Sequence, residues 1–525
     1  MDVIETVTNA GEKKTIANFL SGKVILITGG TGFLGQCLIE RLLSATPGLK
    51  KIYVLVRGKN GYTPESRIKK LMEKTLYNDL DEQTKAKVHP LVGELSKPNF
   101  AISQEILDML YEEVNIVYHV AATIKFNTFI GEAIKINLIG TQVAVEFTKQ
   151  LKNLASFVYV STAFCNSCYL NQGIKEQVYE SSVDPYDMIK LVTDNQDYDK
   201  TLPKTGTPEL LEFISPHPNT YTFTKQLAEN LIKRELRNYP AGIIRPSVVY
   251  GTYRSPMPGW CGSANSGHIG FLAGYSKGLF RTMGGDASSV MDLIPCDYVA
   301  NATIVLSWYV STYRVKEVEV IHCTSGEINP LTFGEYCELL NEATRKHPND
   351  FIICQPKVKV RNGLRYKLFI YLFHFLPASV FYLPEHFLAM KKPPRKTIDY
   401  VRIFDNGIKA FDYFTSRNFH YHMHNSLRIL DCLEPEDAEE YNYNVQFCDW
   451  KKYMEAQIIG IRYFFYKESK TTTIWHKIMY HMYGVVQFLW YIIGFFSLQY
   501  MLSFFLEPSF AYALTIFILL FIKWV

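Results

Sequence analysis

The feature that most constrains this chain is a cluster of glycines placed where a strand pattern gives way to a helix pattern. Residues 23–28 (Lys-Val-Ile-Leu-Ile-Thr) form a short apolar run rich in β-branched side chains. The run meets Thr28-Gly29-Gly30-Thr31-Gly32-Phe33-Leu34-Gly35, after which Leu38, Ile39, Leu42 and Leu43 recur on one helical face. A second apolar run, Ile52 to Val56, follows. Strand, glycine turn, helix and strand make the βαβ unit of a parallel sheet. Further buried-strand patterns occur at Val88–Val92, Ile116–His119, Phe157–Val160 and Gly242–Ile244, with a helix pattern over Ile134–Leu151. The alternation predicts an α/β class with a doubly wound parallel sheet.

Glycines at such a turn let backbone N–H groups approach a phosphate, and the helix N-terminus adds a favourable dipole. Gly29, Thr31, Gly32, Phe33, Leu34 and Gly35 are therefore candidate cofactor-binding residues, in G-x-x-G-x-x-G spacing. The end of the second strand selects the cofactor. An Asp or Glu there would hold the ribose 2′-OH of NAD. This chain has Val54-Leu55-Val56-Arg57, and a guanidinium suits a 2′-phosphate by charge and shape. The expected cofactor is NADPH, read by Arg57, with Lys59 and Arg67 the next basic candidates.

Tyr221-Thr-Phe-Thr-Lys225 carries the expected chemistry, since residues i and i+4 share a helix face. An ammonium beside a phenol favours phenolate and brings its proton exchange nearer neutral pH. Lys225 can also hold the nicotinamide ribose. Upstream, a strand ends at Val160-Ser161-Thr162-Ala163, where Thr162 or Ser161 would hydrogen-bond the substrate oxygen beside Tyr221. Asn137 either orders a proton-relay water or packs a helix. Pro246 and Ser247, at the end of Ile244-Arg245-Pro246-Ser247, are placed to shape the nicotinamide pocket. Asp297 reads as a helix N-cap rather than a catalyst.

The 525 residues suffice for two or three domains, and a formal net charge of +4 gives no ground for nucleic-acid binding. The N-terminus, MDVIETVTNAGEKK, has no apolar signal-peptide core. Of the 10 cysteines only Cys165 and Cys168 form a C-x-x-C, without further ligands at zinc spacing, so no metal is expected. The pattern divides the chain into an N-terminal extension (1–20), a Rossmann-type nucleotide-binding domain (21–360), a smaller, mostly helical domain (361–470) and a hydrophobic tail (471–525). Ile478 to Leu506 has no Asp, Glu, Lys or Arg, and Glu507-Pro508 separates it from the apolar Ser509–Ile522. A span needs ~20 apolar residues, so the tail is expected to anchor the protein to membrane lipid. Arg462, Lys467, Lys470 and Lys477 precede it and predict a cytosolic flank.

These residues resemble the fatty acyl-CoA reductases of animals and plants, within the extended short-chain dehydrogenase/reductase superfamily. The resemblance runs over nearly the whole chain. It rests on TGGTGFLG, Val54 to Arg57, His119-Val-Ala-Ala-Thr123, Tyr221 to Lys225, Arg245-Pro246-Ser247 with Pro256-Met-Pro-Gly-Trp260, and Met291-Asp-Leu-Ile-Pro295. In the later part it rests on Phe414-Thr415, Asp449-Trp450 and Gly460-Ile-Arg-Tyr-Phe-Phe-Tyr-Lys-Glu468. It implies reduction of a long-chain acyl-CoA to a primary alcohol through an aldehyde, with two NADPH and release of CoA. It adds Ala121 to the cofactor site, and the endoplasmic reticulum or peroxisome as location, with the catalytic domains in the cytosol. Gly93-Glu94-Leu95 departs from the family, where many members have Asp after the Gly. The second domain, including the uncharged Leu368–Leu383, is expected to receive the acyl chain. Two rivals are an NADP-dependent epimerase, dehydratase or 3β-hydroxysteroid dehydrogenase with a membrane tail, and a non-catalytic NADPH-binding membrane scaffold.

Overall fold

The computed structural model describes residues 15–524 except 59–60, 171, 196–197, 263–266, 377 and 380–396. Lys59 therefore lies outside the described residues, as do most of the N-terminal extension and the end of the Leu368–Leu383 segment. The chain forms two compact units. The first comprises Met1–Pro258, Asp292–Pro330 and Phe419–Cys448, and the second Gly259–Met291, Leu331–Asn418 and Asp449–Val525.

The first unit is built on seven strands: β1 (Val24–Thr28), β2 (Lys51–Val56), β3 (Val88–Val92), β4 (Ile116–His119), β5 (Ser156–Val160), β6 (Ala241–Pro246) and β7 (Glu319–Cys323). Their order is β7-β6-β5-β4-β1-β2-β3, and every neighbouring pair is parallel. β1, β4 and β5 are buried throughout, which accounts for their unbroken apolar runs. Connections run to opposite sides from β1, so the sheet has a topological switch point there, the place where open α/β sheets bind ligands. In register, Thr28 pairs with both Leu55 and His119, which brings the C-terminal ends of the three central strands level.

Helices cover both faces. On one side, α1 (Phe33–Ala45) packs against a later helix, Cys296–Thr312, which also lies on β5 and β6. Arg41 Nε donates to Asn301 Oδ1 at 2.9 Å to tie the two. On the other, α2 (Gly140–Gln150) and α3 (Thr220–Glu235) close a core with Val117, Phe157, Tyr159 and Ile243. With these labels, Cys296–Thr312 is α4. The helix pattern over Ile134–Leu151 resolves into two parts: a π-helical turn, Ile134–Ile139, leading into α2. Such a turn inserts extra backbone and marks functional sites; here it carries Asn137. β7 has no counterpart in the sequence reading. Only Val320, Ile321 and Cys323 are apolar there, between Glu319 and His322.

The second unit is mostly helical. α5 (Phe333–Lys346) starts with a capping box of Thr332 and Glu335 and packs on α7 (Trp450–Gly460); α6 (Thr397–Thr415) lies between them in sequence. At Gly460 an added Cβ would lie 1.8 Å from the Gly259 carbonyl oxygen, so that backbone contact requires glycine. Aromatic side chains fill the space near α6, with Phe280 and Phe404 stacked at 3.7 Å between ring centroids. The fully buried Arg462 donates to Thr472 Oγ1 at 2.9 Å and lies 3.5 Å from both Glu468 and Asp350, organising the segment that leads to the tail.

The tail forms two helices, α8 (Ile474–Ser503) and α9 (Pro508–Trp524), which pack together as a hairpin, Phe495 edge-on to Tyr512. The expected transmembrane helix is corrected here. Among the described residues no helix is long and apolar enough to cross a membrane. Absence of charge is not the same as apolarity. α8 holds His476, His481, Gln487, Gln499, Ser497 and four tyrosines, while the more apolar α9 has only 17 residues.

Candidate active site

The glycine turn sits at the switch point. Gly29 has φ +76°, and a Cβ on it would lie 2.7 Å from the Ala121 nitrogen, so the turn presses against the chain leaving β4. A Cβ on Gly35 would lie 2.3 Å from the Gly29 carbonyl oxygen. α1 then begins at Phe33 with Gly32 as its cap and no side-chain capping hydrogen bond. A bare, dipole-bearing helix start over a glycine cradle fits a dinucleotide pyrophosphate. Thr31, Phe33 and Leu34 lie at this helix start, each half-buried.

At the end of β2, Arg57 is largely exposed and pairs with Glu94 at 2.9 Å. Arg67, from the helix Pro64–Met72, donates to the Arg57 carbonyl oxygen at 2.5 Å and to Thr31 Oγ1 at 3.4 Å. Two guanidiniums thus flank the glycine turn. Glu94, the departure noted in the sequence, is engaged by one of them.

A relay joins this turn to the centre of the site. The Ala121 N–H donates to Thr28 Oγ1 at 3.3 Å, and the Thr28 hydroxyl lies 2.7 Å from His119 Nδ1. His119 Nε2 lies 3.0 Å from Thr141 Oγ1, whose hydroxyl donates to the Asn137 carbonyl oxygen at 2.6 Å. Thr141 has spent its proton, so His119 must donate through Nε2 and accept through Nδ1. Burial, helped by the Lys225 charge, pushes His119 down to about 3 and keeps it neutral in that tautomer. The Asn137 side chain is fixed on both ends: it accepts from the Thr123 N–H at 2.8 Å and donates to the Thr123 carbonyl oxygen and to Thr224 Oγ1. It thereby ties the π-helical turn to α3.

Asn219 caps α3 by accepting from the Thr222 N–H at 2.9 Å, which sets Tyr221 in the first turn. Tyr221 is half-buried and stacks on Phe126 at 5.8 Å. Burial holds its phenol above the ordinary range, and a hydrogen bond from Thr162 pulls the other way. Ser161 instead points to Cys165, with Oγ 3.8 Å from Sγ. Ser161 is thus turned toward Cys165, while Thr162 is the hydroxyl that acts on the Tyr221 phenol. Lys225 is 2% exposed, donates from Nζ to the Val160 carbonyl oxygen at 2.7 Å and lies 4.4 Å from the centre of the Tyr159 ring. Burial pushes it down to about 7, against the pull of Glu229. The phenol-lowering effect expected of this pair is therefore not seen in the protein alone.

One turn further along α3, the fully buried Glu229 meets Arg245 in a two-pronged ion pair, with Oε2–Nη2 at 2.6 Å and Oε1–Nε at 2.9 Å. Cys165 Sγ also donates to Glu229, at 3.2 Å. Sequence reasoning missed Glu229 and Thr141, read Cys165 only as half of a C-x-x-C pair and gave Thr28 no role of its own. The available signal was Glu229 at i+4 from Lys225, a second charge on the buried face of α3. Pro246 closes β6, and Ser247 follows it as a buried residue. Asp297 is not an N-cap. Pro295 occupies that place, and Asp297 accepts from the N–H groups of Tyr253, Arg254 and Ser255 at 2.8–3.1 Å, holding the loop after Tyr250.

A parallel sheet with a glycine turn at its switch point and a Tyr-Lys helix against β5 defines a nicotinamide-nucleotide-dependent reductase of the short-chain type. Two family models, both described as male sterility protein, match residues 27–303 (the nucleotide-binding part) and 373–468. A fatty acyl-CoA reductase candidate of Drosophila melanogaster is 46% identical over 97% of this chain and 93% of its own length. Fatty acyl-CoA reductase 1 of Gallus gallus is 33% identical over 87% of both chains. The chain belongs to the fatty acyl-CoA reductase family. Among solved structures, the terminal R domain of the myxalamid biosynthetic pathway shares the fold, with a TM-score of 0.56 at 19% identity over 84% of this chain and 90% of that one.

The buried ammonium has a consequence for stability. Lys225 titrates near 10.5 when unfolded and at about 7 when folded. Between those values the unfolded chain binds more protons, so stability rises with pH across that window. Below about pH 7 both states are protonated and the full cost of burial applies. Lys225→Met is expected to raise the Tm of the cofactor-free protein, by more at pH 6 than at pH 9. Thermal melts at the two pH values check this, and a lower Tm than wild type at pH 6 refutes it.

Proposed function

We propose that this protein reduces long-chain fatty acyl-CoA to the primary alcohol, using two NADPH and releasing CoA through an aldehyde. The observation that carries the reading is Tyr221 in the first turn of α3 with Lys225 one turn away, its ammonium donating to the Val160 carbonyl oxygen at the end of β5. Bound NADPH supplies hydride. Tyr221 and Thr162 meet the carbonyl oxygen as charge develops on it, the first by donating its proton and the second by hydrogen bonding. The resulting hemithioacetal loses CoA thiol to give the aldehyde. The same two groups serve the aldehyde oxygen in the second reduction. Lys225 holds the nicotinamide ribose, and Asn137 orders the water that returns a proton to Tyr221. Gly29, Gly32, Gly35 and Ala121 line the pyrophosphate path, and Pro246 and Ser247 the nicotinamide end. Tyr221→Phe is expected to lose ~10²–10⁴ in turnover while NADPH binding stays within a few-fold of wild type. NADPH oxidation with a long-chain acyl-CoA checks it. Near-normal turnover removes Tyr221 from the mechanism, and wild-type protein inert toward every acyl-CoA favours the scaffold reading.

NADPH is preferred over NADH because Arg57 and Arg67 both stand at the ribose end of the cradle. A charge-assisted contact contributes ~1.5–3 kcal/mol, or about 10–100-fold in affinity. Arg57→Glu is expected to weaken NADPH by that factor while NADH changes little, as read by fluorescence titration. An unchanged ratio assigns the 2′-phosphate to Arg67.

The tail is the proposed anchor, holding the catalytic unit on the cytosolic side of the endoplasmic reticulum or peroxisome. α8 exposes Trp475, Val485, Phe488, Phe496 and Tyr500, each more than half exposed, a face suited to lying in a lipid interface. Truncation after Ser469 is expected to release the protein from membranes. Truncated protein that still pellets through high salt and carbonate, or full-length protein that is soluble, refutes the anchor.

A further inference from the structure

Outside the Tyr-Lys site, the first unit holds a side-chain cluster that carbonyl reduction does not use. Glu327, on the loop after β7, meets His420 and His422, and one donor atom from each lies within 4.8 Å of the others. Glu327 and His420 are exposed and His422 is half-buried, so the cluster opens to solvent. The backbone explains why the two imidazoles converge. Ile174 donates its N–H to the His420 carbonyl oxygen at 2.7 Å, and the His422 N–H donates back to Ile174 at 2.9 Å. This pins residues 420–422 as an extended stretch, in which alternate side chains share a face. Tyr421 points inward, 1% exposed, against Ala163 and Ile174, so His420 and His422 point outward together. Gly173, at φ +68°, makes room for them: a Cβ there would lie 2.5 Å from His422 Nε2.

We propose that Glu327, His420 and His422 bind a divalent transition-metal ion of the zinc class. Two imidazoles and one carboxylate form a donor set for such an ion, whereas magnesium and calcium take oxygen donors. In a tetrahedral zinc site with bonds of ~2.1 Å, neighbouring donor atoms are about 3.4 Å apart. His422 Nδ1 and Glu327 Oε1 already stand 3.6 Å apart. The exposed His420 side chain is free to rotate the third donor in, and water completes the fourth position. The other edge of the site is already set, because the His422 carbonyl oxygen accepts from the buried His322 Nδ1 at 2.7 Å. The ion would clip the loop after β7 to a stretch far away in sequence, and so stabilise the folded unit.

The test uses full-length protein without a histidine tag, stripped with a chelator and titrated with zinc chloride by calorimetry. One saturable site and a raised Tm are expected, with no effect of magnesium. Cobalt(II) in place of zinc should give the visible absorption of a tetrahedral ion. His420→Ala and Glu327→Gln, both at exposed positions, are expected to weaken zinc by about tenfold or more and to remove the Tm rise. Their metal-free Tm and basal turnover should match wild type. If His422→Ala alone lowers the metal-free Tm, the other two variants decide. Absence of saturable binding, or binding undiminished in His420→Ala/Glu327→Gln, overturns the site.

Discussion

An ammonium is held at the centre of this fold, and much of the first unit is arranged around that cost. Lys225 comes off α3 with 2% of its surface exposed and reaches the carbonyl at the end of β5. A charge so placed has a desolvation penalty of several kcal/mol unless partners offset it. The Val160 carbonyl and the Tyr159 ring provide local compensation. Glu229 would add a strong attraction one turn away, but Arg245 grips both of its oxygens. Burial outweighs the attraction that Glu229 still exerts, and Lys225 is pushed down to about 7. That places the proton of this ammonium near neutral pH, where small changes in charge around it matter most.

The same economy governs the cofactor end. β1 stops where two sheet halves diverge, and a glycine at φ +76° lets the chain turn without striking Ala121. From that point a file of hydroxyls and one neutral imidazole runs through Thr28, His119 and Thr141 to Asn137. Each member has its donors and acceptors spoken for, so the file is rigid. It fixes the π-helical turn relative to the glycine turn. The side chain that addresses α3 is thereby set by the strand that carries the pyrophosphate cradle. The glycine turn and the first turn of α3 are parts of one hydrogen-bonded structure.

Local signals made the nucleotide half of this architecture legible. Apolar runs gave six of the seven strands, and the glycine spacing located the turn at the switch point. β7 was hidden because its apolar core is only Val320 and Ile321 before a histidine that faces Arg245. The choice between Ser161 and Thr162 could not be read locally. Adjacent residues on a strand face opposite ways, and only the sheet's orientation says which side holds Tyr221. Asp297 shows the converse error: an acidic residue at a helix start reads as a cap, yet three loop N–H groups claim it. The tail failed for a different reason. Counting charges ignores the histidines, glutamines and tyrosines that lower the apolarity of α8.

The cofactor's ribose end shows how an apparently unfavourable residue can be accommodated. Glu94 sits against Arg57 and pairs with the charge that the NADPH reading assigns to a 2′-phosphate. The pair is exposed on both sides, and such pairs contribute at most about 1 kcal/mol. A phosphate offers more charge and a better fit to the guanidinium, so exchanging partners is nearly free in that direction. Exchange for a neutral ribose hydroxyl is not, because nothing then compensates the parting of Arg57 from Glu94. Arg67 meanwhile stays in place, bonded to the Arg57 backbone and to Thr31 of the glycine turn. On the NADPH reading, Glu94 is therefore the partner Arg57 gives up to the 2′-phosphate, and Arg67 is the guanidinium that needs no such exchange.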